Sequence, residues 1–209
     1  MRRAPEIKVC GIGDAAFARR AETLGVDYLG FIFAAGSPRR ISPERAASIV
    51  AELSGRAKIA GVFTDAPIDA ILDAARRVPL DVVQLHGSGY GADDVARLKS
   101  AGLEVWRLNG LCGADALLLD GASADGRSGG TGQRADWRRA SELAAAGVRV
   151  VLAGGISAEN VREAAATGCA VVDVNSSLET SPGVKSAALL NAFFAAAAPL
   201  PQGGASGCP

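Results

Sequence analysis

Short apolar runs of four to six residues recur along this chain, and nearly every one is followed by a stretch of helical periodicity. The runs are Ile7–Cys10, Tyr28–Phe33, Ile59–Phe63, Val82–His86, Val105–Leu108, Ala116–Asp120, Val150–Ala153 and Val171–Val174. Their nearly unbroken apolar character is that of strands covered on both faces, which is the rule in parallel sheets. Helical stretches are predicted over Asp14–Leu24, from Pro43 onward, and over Ile68–Arg77, Ala92–Ser100, Trp137–Ala146, Ala158–Thr167 and Ala187–Ala197. Ser42-Pro43-Glu44 supplies a capping hydroxyl and a proline at the first helical position. Eight such units predict an α/β fold, a single (β/α)8 TIM barrel spanning residues 1–198. A doubly wound open sheet is the alternative. It needs an edge strand, and none of the runs is polar enough to be one.

One unit is incomplete. Between Leu108 and Ala116 lie only Asn109 to Asp115, too few for a crossover helix. The fifth crossover helix is therefore expected to be shortened or absent. Its loss should leave apolar barrel surface bare unless a loop or a second chain covers it, so a homodimer is an expectation. Residues 199–209, rich in Gly and Pro, are expected to form a disordered tail.

Composition narrows the function classes. With 49% apolar and 21% charged residues and no net charge, nothing points to a nucleic-acid partner. No apolar stretch approaches a membrane span, and the first residues lack a signal-peptide core, so a cytoplasmic setting is expected. The four cysteines, Cys10, Cys112, Cys169 and Cys208, show no paired spacing, which argues against a disulfide framework or a zinc knuckle. A single histidine, His86, argues against a multi-histidine metal site. No cofactor is expected.

In a barrel of this kind the active site lies at the C-terminal ends of the strands. Cys10, Arg39 or Arg40, Asp65, His86, Arg107 and Asp120 stand at or just past those ends. Three strand-to-helix junctions there carry glycines or small polar residues: Gly129-Gly130-Thr131-Gly132, Gly154-Gly155 and Asn175-Ser176-Ser177. Backbone without Cβ can approach an anion closely, and a helix start offers unpaired N–H groups. The three together read as one phosphate cradle, with Gly130, Thr131, Gly132, Gly154, Gly155, Asn175 and Ser176 as its candidate residues. Cys10 and Asp120 end strands three places apart around a ring of eight. They should face each other across the mouth as proton-transfer groups flanking a small phosphorylated substrate.

An ordered set of segments carries a resemblance. It comprises Lys8-Val-Cys-Gly-Ile12, Leu29-Gly-Phe-Ile-Phe33, Ser37-Pro-Arg-Arg-Ile-Ser42 and Val83-Gln-Leu-His-Gly87. It continues with Ala116 to Asp120, Gly129 to Gly132 with Asp136-Trp137, and Leu152 to Ile156. Asn160-Val161, Asp173 to Glu179 and Pro182 to Lys185 complete it. The set resembles the phosphoribosylanthranilate isomerase family of tryptophan biosynthesis. That implies an Amadori rearrangement of N-(5-phosphoribosyl)anthranilate to 1-(2-carboxyphenylamino)-1-deoxyribulose 5-phosphate, without metal or cofactor. It also implies Cys10 as general base, Asp120 as general acid and Arg39 as partner of the anthranilate carboxylate. His86, at a position that more often holds a structural hydrogen-bonder, is kept with Arg39 as a substrate-binding pocket wall.

The implied roles reverse the ordinary protonation of both groups. A free Asp, with a pKa of about 3.9, needs an upward shift of roughly 3 units to be half-protonated at neutral pH. Desolvation and substrate charge act in that direction for Asp120 and against ionisation of Cys10. A cation must therefore sit beside Cys10, and Arg39 is the expected one. The chain also departs from the family pattern: Gly13 stands in place of a common Thr, Trp106 in place of a frequent Lys, and Asn175 and Ser177 where Ser and Gly are frequent. Competing readings are another sugar-phosphate isomerase on the same barrel and a catalytically weakened phosphate-binding scaffold. A metal-dependent epimerase would want several histidines, and an isomerase using two Asp residues would want an acid where Cys10 stands.

Overall fold

Each of the eight apolar runs is a strand, paired in parallel with its sequence neighbours until the last returns to the first. A computed structural model describes residues 4–108, 110–121 and 135–198. The strands are β1 (Glu6–Cys10), β2 (Tyr28–Ile32), β3 (Lys58–Thr64), β4 (Val82–His86), β5 (Glu104–Leu108), β6 (Ala116–Leu119), β7 (Val150–Leu152) and β8 (Val171–Val174). Around them lie α1 (Ala15–Thr23), α2 (Pro43–Val50), α3 (Ile68–Arg77), α4 (Ala92–Ser100), α5 (Trp137–Ala145), α6 (Val161–Ala166) and α7 (Ala187–Ala197). Closure is made by β1 against β8, with Lys8 opposite Asp173. The barrel has no edge, which disposes of the doubly wound alternative.

Successive side chains of a strand point to opposite faces. The outward parity, including Val9, Leu29, Phe31, Val83, Leu85 and Val172, packs with the helix faces into one large cluster. The inward parity forms two levels. Toward the N-terminal ends of the strands Tyr28, Val82, Trp106, Leu118, Val151 and Val171 fill the barrel. Trp106 is fully buried there, edge-on to Tyr28 with ring centroids 4.9 Å apart. Toward the C-terminal ends the level holds Cys10, Ile32 and Val62, and with them buried Lys8, Gln84, His86 and Asp173. The interior thus changes from apolar to polar as it approaches the mouth.

The helix starts follow local chemistry. Asp14, Ser42, Asp136 and Ser186 each accept a hydrogen bond from a first-turn amide, and Pro43 sits at the first helical position. The helix expected from Ala158 begins instead at Val161. Asn160 accepts from the Ser157 amide at 2.9 Å and donates to the Gly155 carbonyl at 2.8 Å, closing a turn before the helix can start.

Between β5 and β6 the described residues 110–115 form a turn and no helix. Arg107 pins it, donating to Gly110 O at 2.9 Å and to Tyr90 O at 2.6 Å, while Asp115 accepts from Lys99 at 2.6 Å and from Val105 N at 2.8 Å. The loop and α4 thereby keep outward-facing Val105 fully buried, so much of the surface expected to be bare is covered. Leu117 and Leu119 on β6 remain half-buried. A short hairpin, β9 (Glu179–Ser181) with β10 (Val184–Lys185), follows a single 3-10 turn over Ser176–Leu178 and was not expected from the sequence. No described helix is long and apolar enough to cross a membrane. The glycine loop around residues 129–132 and the tail 199–209 lie outside the described residues.

Candidate active site

A cavity of about 640 Å3 opens at the C-terminal ends of the strands. Its wall brings together Cys10, Arg39, His86, Asp120, Gly154, Gly155, Asn175 and Ser176. These come from six regions of sequence and include every residue proposed from the sequence as catalytic, substrate-binding or phosphate-binding except Gly130, Thr131 and Gly132, which lie outside the described residues. Asp65 also lines the cavity. Arg40 is exposed and Arg107 is buried beneath the fifth loop, so neither belongs to the wall.

Cys10 ends β1 and is 4% exposed. Lys8, two residues earlier on the same inward parity, is fully buried and meets Asp173 of β8 with Nζ 2.6 Å from Oδ2. A Cβ at Gly30 of β2 would lie 2.8 Å from Cys10 Sγ and 3.0 Å from Lys8 Cε. The absent side chain is what lets the thiol and the lysine stem lie side by side. Burial pushes the Cys10 thiol above its ordinary pKa, opposed chiefly by Lys8 and further by Lys185. Burial pulls the Lys8 ammonium down, but Asp173 and Cys10 more than offset this, and its pKa lies above the ordinary lysine value. The main cation beside Cys10 is therefore Lys8 and not Arg39. Arg39 is turned into a two-pronged ion pair with Glu179 of β9, its Nε and Nη2 each 2.8 Å from a carboxylate oxygen.

Asp120 follows β6 directly and is half-buried. Burial first, then the negative charge of Asp173, pushes it up to about 6, against a hydrogen bond from the Gly121 amide and the attraction of Lys8. It therefore holds a proton well above the usual carboxylate range. His86 is driven the other way, down to about 4, by burial and by Lys8. Gln84 Nε2 lies 2.8 Å from His86 Nε2, and with Gln84 donating, the ring is neutral with its proton on Nδ1. His86 lines the cavity as a polar group with no charge at neutral pH.

The loops after β7 and β8 make the far side of the cavity. Gly154 and Gly155 have φ of +80° and +64°, a left-handed pair that residues with a Cβ rarely adopt. Lys185 of β10 is buried, 2.9 Å from Glu179 Oε1, and donates to Asn175 O at 2.9 Å and Asn175 Oδ1 at 2.8 Å. The Ser177 hydroxyl is not free toward the cavity, because it donates to Ile156 O at 2.6 Å and ties the two loops together. Among the described residues no three of His, Cys, Asp and Glu converge to hold a metal ion.

Sequence reasoning missed Lys8, Gln84, Asp173, Glu179 and Lys185. A signal was present for two of them. Lys8 and Asp173 are charged residues within otherwise apolar strands, and both share the parity of the inward side chains.

A model of the N-(5'-phosphoribosyl)anthranilate (PRA) isomerase family matches residues 7–196. An N-(5'-phosphoribosyl)anthranilate isomerase of Rubrobacter xylanophilus is 38% identical, covering 92% of this chain and 98% of its own. The crystal structure of the phosphoribosyl anthranilate isomerase from Thermus thermophilus superposes with a TM-score of 0.81 at 38% identity, covering 91% of this chain and 97% of its own. Another isomerase of this name, at 29% identity and a TM-score of 0.78 over 92% of this chain and 98% of its own, was crystallised with reduced 1-(o-carboxyphenylamino)-1-deoxyribulose 5-phosphate.

Proposed function

The chain belongs to the N-(5'-phosphoribosyl)anthranilate isomerase family, and from that premise we propose how its residues carry the reaction. The substrate is N-(5'-phosphoribosyl)anthranilate and the product 1-(2-carboxyphenylamino)-1-deoxyribulose 5-phosphate. Asp120, as the carboxylic acid, donates its proton to the furanose ring oxygen. The bond from that oxygen to C1 breaks as the nitrogen lone pair forms a C1–N double bond, leaving an iminium. Cys10, as thiolate, then takes the proton from C2, and the released pair forms the C1–C2 double bond while the nitrogen becomes neutral. The resulting enol amine becomes the ketone as its hydroxyl loses a proton and C1 gains one.

Gly154, Gly155 and Ser176 hold the phosphate, with Gly130, Thr131 and Gly132 completing the cradle. Asn175, fixed by Lys185, supports that loop. Arg39 receives the anthranilate carboxylate, since its Nη1 has no partner among the described residues while Glu179 fixes the rest of the fork. Neutral His86 forms the wall beside it.

The observation that carries this reading is the environment of Asp120, pushed up to about 6 across a shared cavity from Cys10. An acid poised near the working pH is what proton donation requires. Cys10→Ala and Asp120→Asn are each expected to lower kcat by about 10²–10⁴, while a reduced product analogue still binds. Loss of substrate fluorescence measures turnover. Full turnover in either variant would remove that residue from its role.

A further inference from the structure

We infer that the buried Lys8–Asp173 ion pair is the positioning element of this site, biasing the proton acceptor and the proton donor in opposite directions. The inference rests on the assignment of Cys10 and Asp120 above. Ring closure sets Lys8 and Asp173 opposite each other in register, and their charged ends meet at 2.6 Å inside the barrel. The lysine stem runs beside Cys10 Sγ in the notch left by Gly30. Asp173 lines the cavity that Asp120 also lines, and among the described residues its Oδ1 makes no hydrogen bond of normal geometry, although the Gln84 side chain is close enough to favour its charged form. A buried ion pair kept for stability would have both carboxylate oxygens satisfied. This one leaves an acceptor unmatched at the cavity wall.

The polarity of the pair suits the chemistry. A positive charge beside Cys10 favours the thiolate, and a negative charge near Asp120 favours the carboxylic acid. Two neutral residues in their places would leave burial to raise both groups together, which protonates the acid and silences the base. The other charged groups facing Cys10 are Lys185 of β10 and Arg39 of the loop after β2. Asp65 and His86, after β3 and at the end of β4, also line the cavity. Arg39 and Lys185 share Glu179, so their charge is partly neutralised before it reaches the thiol.

The active form carries a thiolate and a carboxylic acid, so the acid limb of the kcat/KM profile belongs to Asp120 and the alkaline limb to Cys10. Both limbs are measured for the full chain, together with the pH dependence of Cys10 alkylation by iodoacetamide, located by peptide mass spectrometry. Lys8→Met is expected to raise the alkaline limb and the alkylation midpoint by about one pH unit or more. Asp173→Asn is expected to lower the acid limb by a similar amount without raising the alkylation midpoint. Where a single variant fails to fold, Lys8→Met with Asp173→Leu replaces the pair by apolar groups, and both movements should then occur at once. An alkaline limb that stays in place in Lys8→Met, or an acid limb that stays in place or rises in Asp173→Asn, overturns the inference; the loss of Lys8 raises the acid limb as well, since Lys8 also lowers Asp120. Cys10→Ala with full turnover removes the base assignment and this inference with it. An inactive Cys10→Ala beside an unmoved Lys8→Met profile removes the inference alone.

Discussion

At the N-terminal end of the barrel, Arg149 donates to Tyr28 OH and Glu6 Oε2, both at 3.0 Å, and reaches Glu104 Oε1 at 3.2 Å. Trp106 donates to the same Glu104 oxygen at 2.6 Å, and Tyr28 donates to Glu6 at 3.1 Å. Among the described residues, no buried atom of that cluster lacks a partner. At the C-terminal end, Lys8, Gln84, His86 and Asp173 are all buried, yet among the described residues Gln84 Oε1 and Asp173 Oδ1 make no hydrogen bond of normal geometry. An unsatisfied buried acceptor destabilises the fold, so such groups persist where a ligand completes them. The polar closure of one end holds the barrel shut. The polar interior of the other end waits for a substrate.

The comparison breaks if the two ends can exchange roles. Trp106→Ala removes the largest fully buried side chain and should lower stability by about 3–5 kcal/mol, read as the shift of a urea midpoint. Its kcat and both pH limbs should be unchanged below the new melting range. A variant that kept its stability but lost turnover would place catalysis at the wrong end.

Asp120 sharpens the comparison through pH. Its native pKa, about 6, stands above the ordinary 3.8. Between those values the folded chain binds more protons than the unfolded one, so its stability falls as pH rises from about 4 to about 6 and is level above. The fall amounts to at most about 3 kcal/mol. Asp120→Asn has no such proton to lose. Its stability relative to the parent should therefore grow across that window, as measured by denaturation at matched pH. A constant gap from pH 4 to 8 would mean that Asp120 is not raised in the folded chain.

How much of this was legible in the chain depends on the range of the interactions. The strands were legible because each is a local apolar run, and the helix starts because Asp14, Ser42, Asp136 and Ser186 act within one turn. The missing fifth helix needed only a count of residues. Cys10 and Asp120 were legible as strand-end residues in a ring, a matter of topology. The Lys8–Asp173 pair was not, because 165 positions separate its members and only closure of the ring brings them into register. Arg39 shows the same limit. Its place at the cavity was readable, but its engagement with Glu179 depends on a hairpin of three and two residues, too short for any periodicity to reveal.

The smallest expected effect separates positioning from contact within the mouth itself. Ser177 stands where family members frequently have Gly, and its hydroxyl is committed to Ile156 O. Ser177→Gly removes that bond and frees the backbone of the 3-10 turn, at a cost of about 1 kcal/mol. If the hydroxyl only joins the loops, kcat and the pH limbs stay in place while KM rises modestly as Ser176 and Gly155 lose their fixed spacing. If it touches the phosphate directly, KM rises steeply with little loss of stability. Comparing the KM change with the shift in urea midpoint distinguishes the two, and the Ile156 bond predicts the first.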